Sequence, residues 1–239
     1  MKTVLITGAN KGIGYETAKQ MAQLGYFVYL GSRDRTRGFK AIAKLNELGI
    51  SNVDFIEIDV TDMHSVKKAK QELETQIEAL DVLINNAGIA GKQPQNISSG
   101  DMDNLRNVFE TNFFGAVQTT QQFIHLLRKS DEPIIINVSS ELGSLTLHNR
   151  IQDNPNYFMF DAYSCSKTAL NAFTVMLANE LRSTIFTINS VSPGYTATDL
   201  NQHQGIQTAE EGAKSIVRFA TMGKNGTTGK FFKDKEIPW

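Results

Sequence analysis

The 239 residues carry 24 Lys and Arg against 25 Asp and Glu, and a formal charge of −1 leaves no bulk field to hold nucleic acid or an anionic membrane. A single cysteine, Cys165, rules out internal disulfides, and His64, His125, His148 and His203 show no metal-ligand spacing, so no metal is expected. Hydrophobic residues at 41% and charged residues at 21% suit a soluble globular protein of one domain, 1–239. The first apolar run is too short for a secretory signal and no later run is long enough to span a bilayer, which makes a cytoplasmic protein the expectation.

Residues 4–6 read as a buried strand, followed by Thr7-Gly8-Ala9-Asn10-Lys11-Gly12-Ile13-Gly14 and a helical pattern over 15–24. Strand, glycine-rich turn and helix put an anion over the helix N-terminus, where free N–H groups and the dipole attract it. Gly8, Asn10, Lys11, Gly12, Ile13 and Gly14 are therefore candidate cofactor contacts, although the spacing is G-x-x-x-G-x-G rather than G-x-G-x-x-G. The alternative is a glycine-rich turn with no ligand.

A second strand, 27–31, ends in Ser32-Arg33-Asp34-Arg35-Thr36-Arg37. An NAD site usually places an acid at this strand end for the ribose 2′-OH. Here Arg33 and Arg37 offer guanidinium forks suited to a 2′-phosphate, and Lys11 adds charge on the same side, which predicts NADP(H). Asp34 lies past the tip among arginines and reads as a helix-start residue or an arginine partner. Otherwise the arginines form a solvated face.

After a helical pattern over 36–48, a third strand, 54–58, ends in Asp59-Val60. Asp59 either accepts from an adenine amino group or serves as a cap partner ahead of Thr61-Asp62. A helix over 63–78 leads to a fourth strand, 81–84, and then Asn85-Asn86-Ala87-Gly88, a turn whose Asn86, Ala87 and Gly88 are placed to pass beside the cofactor ribose. Two helices follow, 98–110 and 111–127, with Asn112 inside an apolar run where a buried amide needs partners.

A fifth strand, 134–138, ends in Ser139-Ser140, and a sixth, 186–191, ends in Ser192-Pro193-Gly194. A helix over 209–220 and a short strand over 229–232 close the chain. The alternation predicts a doubly wound, mostly parallel, seven-stranded α/β sheet of Rossmann type with helices on both faces. Segments 140–163 and 195–208 have no regular pattern and emerge on the strands' carboxyl side, where ligands bind.

Between them a helix over 163–181 opens on Tyr163-Ser164-Cys165-Ser166-Lys167. Residues four apart share a helix face, so the ammonium of Lys167 stands near the Tyr163 phenol and is expected to lower its pKa. That would suit Tyr163 to proton transfer. Ser164, Cys165 and Ser166 read as plain helix-face residues, and Cys165 has no neighbouring histidine to make it a nucleophile.

Together, Thr7-Gly8-x-x-x-Gly12-x-Gly14, Asn85-Asn86-Ala87-Gly88, Asn112, Ser140, Tyr163-x-x-x-Lys167 and Pro193-Gly194 resemble the short-chain dehydrogenase/reductase family of the shorter, single-domain type. The resemblance covers nearly the whole chain. Ser32-Arg33-Asp34 with Arg37, and the ending Gly229-Lys230-Phe231-Phe232 to Pro238-Trp239, are similar to its carbonyl-reductase branch. The resemblance implies that Tyr163 gives a proton to a carbonyl being reduced, or takes one when an alcohol is oxidised. It implies that Lys167 lowers the Tyr163 pKa and holds the nicotinamide ribose. Ser140, rather than Ser139, would bond the substrate oxygen, and Asn112 would position a water in a proton relay. Pro193 and Gly194 would turn beneath the nicotinamide, with Thr196 and Thr198 bonding its carboxamide or the phosphates.

The function implied is NADPH-dependent reduction of a small aldehyde or ketone. The alternatives are an NAD(P)-linked alcohol or hydroxysteroid dehydrogenase, or a cofactor-sensing regulator on the same fold. A serine hydrolase at Ser140 lacks the G-x-S-x-G elbow. Residues 141–162 separate Ser140 from Tyr163 where the family usually has about a dozen. The surplus at 148–160 is expected to form a loop over the substrate cleft, with Tyr157, Phe158 and Phe160 lining the pocket or packing on 195–207. By analogy with longer insertions at this place, a monomer or homodimer is expected rather than a tetramer.

Overall fold

The computed structural model describes residues 1–150, 160–223 and 226–239. Seven strands form one sheet: β1 (Thr3–Ile6), β2 (Phe27–Ser32), β3 (Val53–Glu57), β4 (Val82–Asn85), β5 (Ile134–Val138), β6 (Thr187–Val191) and β7 (Lys230–Phe232). Their order is β3-β2-β1-β4-β5-β6-β7, and every pairing is parallel. A parallel sheet is covered on both faces, which is why Thr-Val-Leu-Ile and Ile-Ile-Ile-Asn-Val are apolar runs rather than alternating ones.

Successive side chains point to opposite faces. Val4, Ile6, Val28, Leu30, Ile84 and Ile136 therefore pack on one side with Ala18 and Met21 of α1 (Gly12–Gln23), Ala41 and Leu45 of α2 (Arg35–Glu47), and Ile216 and Phe219. Leu5, Tyr29, Leu83 and Ile135 pack on the other with Val66 and Leu73 of α3 (Met63–Glu74), and with Phe123 and Leu126. The strand order reverses between β1 and β4, and ligands in such sheets bind outside the carboxyl ends at that switch point.

The two helices expected over 98–110 and 111–127 are one continuous rod. It starts later, at α4 (Met102–Phe109), runs through a π-helical turn Glu110–Phe114 and continues as α5 (Gly115–Leu127). Asp101 caps it by accepting from Asp103 N at 2.9 Å, so the chain before it stays a turn. Segment 140–163 is also more regular than its sequence suggests. It holds a 3₁₀ turn Glu141–Gly143 and a short α6 (Leu145–His148) ahead of α7 (Asp161–Glu180). Tyr157 and Phe158 lie outside the described residues. The last helix is α8 (Ala209–Ala220). Among the described residues no helix is long and apolar enough to cross a membrane.

A chain of buried amides and hydroxyls crosses the sheet just below its carboxyl edge. Asn85 Nδ2 donates to Thr120 Oγ1 at 2.9 Å and to Asn137 Oδ1 at 2.8 Å. Asn137 Nδ2 donates to Thr174 Oγ1 at 2.8 Å, which in turn bonds Ser190 Oγ at 2.8 Å. Thr174 Oγ1 also donates to Leu170 O at 3.0 Å and Asn85 Oδ1 has no partner among the described residues, but the other buried groups depend on one another, so the loss of one strands others in a low dielectric. Asn137→Ala is expected to lower unfolding free energy by about 2–4 kcal/mol in urea titration. A loss under about 0.5 kcal/mol, the scale of ordinary surface changes, would contradict this.

Candidate active site

The glycine turn is shaped first by β4. Asn86 Nδ2 donates to Thr7 O at 2.8 Å and Gly8 O at 3.1 Å, while Thr7 Oγ1 accepts from Asn86 N at 3.0 Å and Ala87 N at 3.1 Å. A Cβ on Gly8 would fall 2.9 Å from Ala87 Cα, and one on Gly14 2.4 Å from Asn86 Nδ2. Close backbone approach thus demands these two glycines whether or not a ligand is bound. The offer to an anion comes from α1. Its N-cap residue is Lys11, with no side-chain cap and no acid in the first turn. By contrast α2, α3, α4 and α8 are capped by Asp34, Asp62, Asp101 and Thr208. Uncapped N–H groups at the positive end of a helix at the switch point fit a pyrophosphate, and Asn10, Gly12 and Ile13 lie on that turn.

Across the crevice, Pro193 and Gly194 (φ +79°) follow β6. Thr196 is buried, and its hydroxyl is already engaged. It lies 3.2 Å from Gly194 O and accepts from Gln207 Nε2 at 2.8 Å. Thr198 faces the glycine turn, with Cγ2 3.6 Å from where a Gly12 Cβ would stand. At the end of β3, Asp59 closes its own turn, with Oδ1 accepting from Thr61 N at 3.0 Å and Thr61 Oγ1 at 2.7 Å, while Asp62 caps α3. Val60 is buried, and its carbonyl is held by Gln118 Nε2.

The basic cluster divides. Asp34 is both of the things its sequence context suggested: it caps α2 by accepting from Arg37 N at 2.9 Å and pairs with Arg37 Nε at 3.1 Å. Arg35 lies 3.5 Å from Glu57, and Lys11 pairs with Asp199 at 2.6 Å. Arg33 is exposed and has no ion pair among the described residues.

At the other end of the crevice four elements meet. Lys167, only 4% exposed, donates from Nζ to Val138 O at 2.8 Å and stands 5.6 Å from the centroid of the Tyr163 ring. A Cβ on Gly88 would lie 3.6 Å from Lys167 Nζ and 3.3 Å from Asn112 Oδ1, so the β4 loop passes directly over both. Asn112 sits on the π-helical turn, a feature that re-aims side chains and recurs at functional sites. Its Oδ1 accepts from Ile89 N at 2.8 Å, and its Nδ2 donates to Ile89 O and Ser166 Oγ, each at 3.0 Å. Both amide hydrogens are committed to protein, and the side chain acts as a brace between the β4 loop and α7. Ser166, read from sequence as a plain helix-face residue, is part of that brace, and it donates onward to Tyr163 O at 2.7 Å.

Ser140 caps the 3₁₀ turn by accepting from Leu142 N at 3.2 Å, and its hydroxyl stands where it favours the ionised Tyr163 phenol. Ser139 faces the other way and is buried, with no partner for its Oγ among the described residues. The Ser140 turn is fixed by contacts between residues far apart in the chain, which no local pattern announces. A Cβ on Gly143 would meet the Lys167 backbone at 2.8 Å, and Gly143 O accepts from Thr168 Oγ1 at 3.1 Å and Asn171 Nδ2 at 3.2 Å. From the far side Ser144 Oγ donates to Pro238 O at 2.8 Å, Thr146 N donates to Trp239 O at 3.0 Å, and Trp239 stacks on Phe231.

The expectation that Lys167 lowers the Tyr163 pKa is not met. Burial pushes the phenol up to about 12, only partly offset by the bond from Ser140, and burial brings the Lys167 ammonium down to about 8. The ammonium stands over the ring rather than in contact with its hydroxyl, so desolvation dominates both groups.

The short chain dehydrogenase family model matches residues 2–209, and the chain belongs to that family. The (+)-neomenthol dehydrogenase of Capsicum annuum is 32% identical, over 98% of this chain and 96% of that protein. The structure of salutaridine reductase from Papaver somniferum superposes with a TM-score of 0.85 at 31% identity, covering 98% of this chain and 100% of that one. An NADPH-bound carbonyl reductase from chicken fatty liver gives 0.85 at 26% identity, covering 100% and 99%. The protein is thus an oxidoreductase on a Rossmann-type fold.

The two pKa shifts predict a pH effect on stability. Between about 8 and 10.5 the unfolded chain holds a proton at Lys167 that the folded protein has released, so folded wild type gains stability as pH rises through that window and carries the full penalty below it. Against Lys167→Met, which cannot titrate, wild type should gain about 2 kcal/mol in urea titrations between roughly pH 7 and roughly pH 10. A difference that does not change with pH would show that the ammonium is not desolvated.

Proposed function

We propose that the protein is an NADPH-dependent reductase that converts a small aldehyde or ketone to an alcohol, with Tyr163 as proton donor. One observation carries the reading: Tyr163 stands with Ser140 and Lys167 at one end of the crevice, its ring centroid 5.6 Å from Lys167 Nζ, and desolvation raises the phenol to about 12. A half-buried neutral phenol beside a hydroxyl supplies a proton donor and a second polar group where negative charge would develop on a carbonyl oxygen. An oxidative dehydrogenase would want the phenolate, which this environment disfavours.

A bound nicotinamide cofactor would supply the hydride to the carbonyl carbon. Tyr163 Oη gives its proton to the oxygen while Ser140 holds that oxygen, and Tyr163 is then reprotonated from solvent. Lys167, Asn86, Ala87, Gly88, Pro193 and Gly194 bound the nicotinamide half, with Asn112 bracing Gly88–Ile89 against α7. Gly8, Asn10, Gly12, Ile13 and Gly14 bound the pyrophosphate, and Thr198 faces it. Asp59 and Val60 flank the adenine, and Thr196 acts through the shape of the 195–207 segment. Arg33, with Arg37 and Lys11 as further cations of the same cluster in the reading, supports a 2′-phosphate and hence NADP(H). The likeness to a carbonyl reductase whose structure carries NADPH supports the same choice. The reading takes the enzyme as cytoplasmic and, from the length of the 141–162 segment, as a monomer or homodimer.

Purified protein should consume NADPH with a panel of cyclic and aromatic ketones and aldehydes. Tyr163→Phe should lower kcat by about 10²–10⁴-fold while NADPH still binds. A Phe variant that keeps its rate, or wild type active only in alcohol oxidation, would contradict the proposal.

A further inference from the structure

The ion pair that bridges the mouth of the cofactor crevice has no part in the proposed reaction. Lys11 Nζ and Asp199 Oδ2 lie 2.6 Å apart across 188 positions of sequence, joining the glycine turn to the 195–208 segment. Asp199 opens the 3₁₀ turn Asp199–Asn201, directly after Thr198 at the glycine turn. Its second oxygen, Oδ1, is 2.9 Å from His203 Nε2. Gln202 and His203 take φ of +54° and +61°, a left-handed conformation that non-glycine residues adopt at a cost and that clusters at functional sites. His203 N donates to Thr198 O at 2.8 Å, which closes the turn and keeps the imidazole on Asp199. The Lys11 and His203 contacts hold the Asp199 carboxyl below the usual carboxylate range, so it is ionised at neutral pH.

Lys11 stands at the positive end of α1, where a cation needs a neighbouring anion. The only carboxylate paired with it among the described residues is Asp199. A dinucleotide arriving in the crevice brings the other candidate, its phosphates. Arg33 meets a 2′-phosphate without first leaving a partner, whereas Lys11 does not. Resting on the NADPH reading, we propose that Asp199 is a specificity-determining residue that competes with the adenosine 2′-phosphate for Lys11 and so holds the preference for NADPH below what the basic cluster alone would set.

Both side chains are more than half exposed, so the competing pair is a weak one and its removal gives a modest gain. The test measures calorimetric binding of 2′,5′-ADP and 5′-AMP, which differ only in the 2′-phosphate, together with NADPH and NADH. The proteins are wild type, Asp199→Asn, Lys11→Met and the double variant. Asp199→Asn should bind 2′,5′-ADP and NADPH about two- to fivefold tighter, with 5′-AMP and NADH unchanged and the gain absent in the double variant. If wild type prefers NADPH but Asp199→Asn binds it no better, this inference falls and the NADPH reading stands. A gain shared by 5′-AMP overturns it as well, because Lys11 would then serve the 5′-phosphate, and so does a gain that survives Lys11→Met, because Asp199 would then act other than through Lys11. A wild type indifferent to the 2′-phosphate overturns both.

Discussion

Lys167 carries an ammonium almost wholly out of water with one backbone carbonyl, Val138 O, as its hydrogen-bond acceptor among the described residues, and that desolvation governs what the rest of the site must do. Val138 ends β5, so the position of the charge is tied to the sheet, while its own helix α7 carries Tyr163 one turn earlier. The same water-poor corner keeps the phenol protonated. Ser140 then becomes the partner that stabilises ionised Tyr163, and the 3₁₀ turn it caps must be held rigidly against α7. Gly143 makes that contact possible because no Cβ intervenes between the turn and the Lys167 backbone.

Support for this corner comes from three directions. Asn112, re-aimed by the π-helical turn, ties Ile89 to Ser166 and so fixes the β4 loop relative to α7. Beneath, the Thr120–Asn85–Asn137–Thr174–Ser190 chain locks β4, β5 and β6 to α5 and α7 through buried side-chain hydrogen bonds. Outside, Pro238 and Trp239 hold α6 and with it the end of the Ser140 turn. The cofactor end is looser by comparison, built of exposed ion pairs and one uncapped helix N-terminus.

Much of the architecture was legible because its signals are local. Apolar runs such as 134–138 can only be strands covered on both faces, and Gly8, Gly12 and Gly14 mark a turn between strand and helix. Asp34 could be read as a cap from its place before a helical pattern. What stayed hidden depends on contacts between distant residues. Nothing in the run around Asn112 announces a π-helical turn, and Asn137 and Ser190 look like interruptions in apolar strands until their partners stand opposite them. Helical spacing correctly placed Tyr163 and Lys167 together, but it could not weigh their attraction against burial, and burial wins. Lys11 likewise looked available for a phosphate because Asp199 lies 188 residues away.

The central claim is that Tyr163 is a half-buried acid, kept protonated by desolvation and tuned by Ser140. The most direct measurement is an NMR titration of tyrosine-ring ¹³C shifts, with the Tyr163 resonance assigned by comparison with Tyr163→Phe and the experiment repeated in Ser140→Ala. The account predicts that the phenol titrates well above the ordinary tyrosine value of about 10, and higher still once the Ser140 bond is removed. A phenol titrating below about 10 in the free protein, or one indifferent to Ser140→Ala, would contradict it.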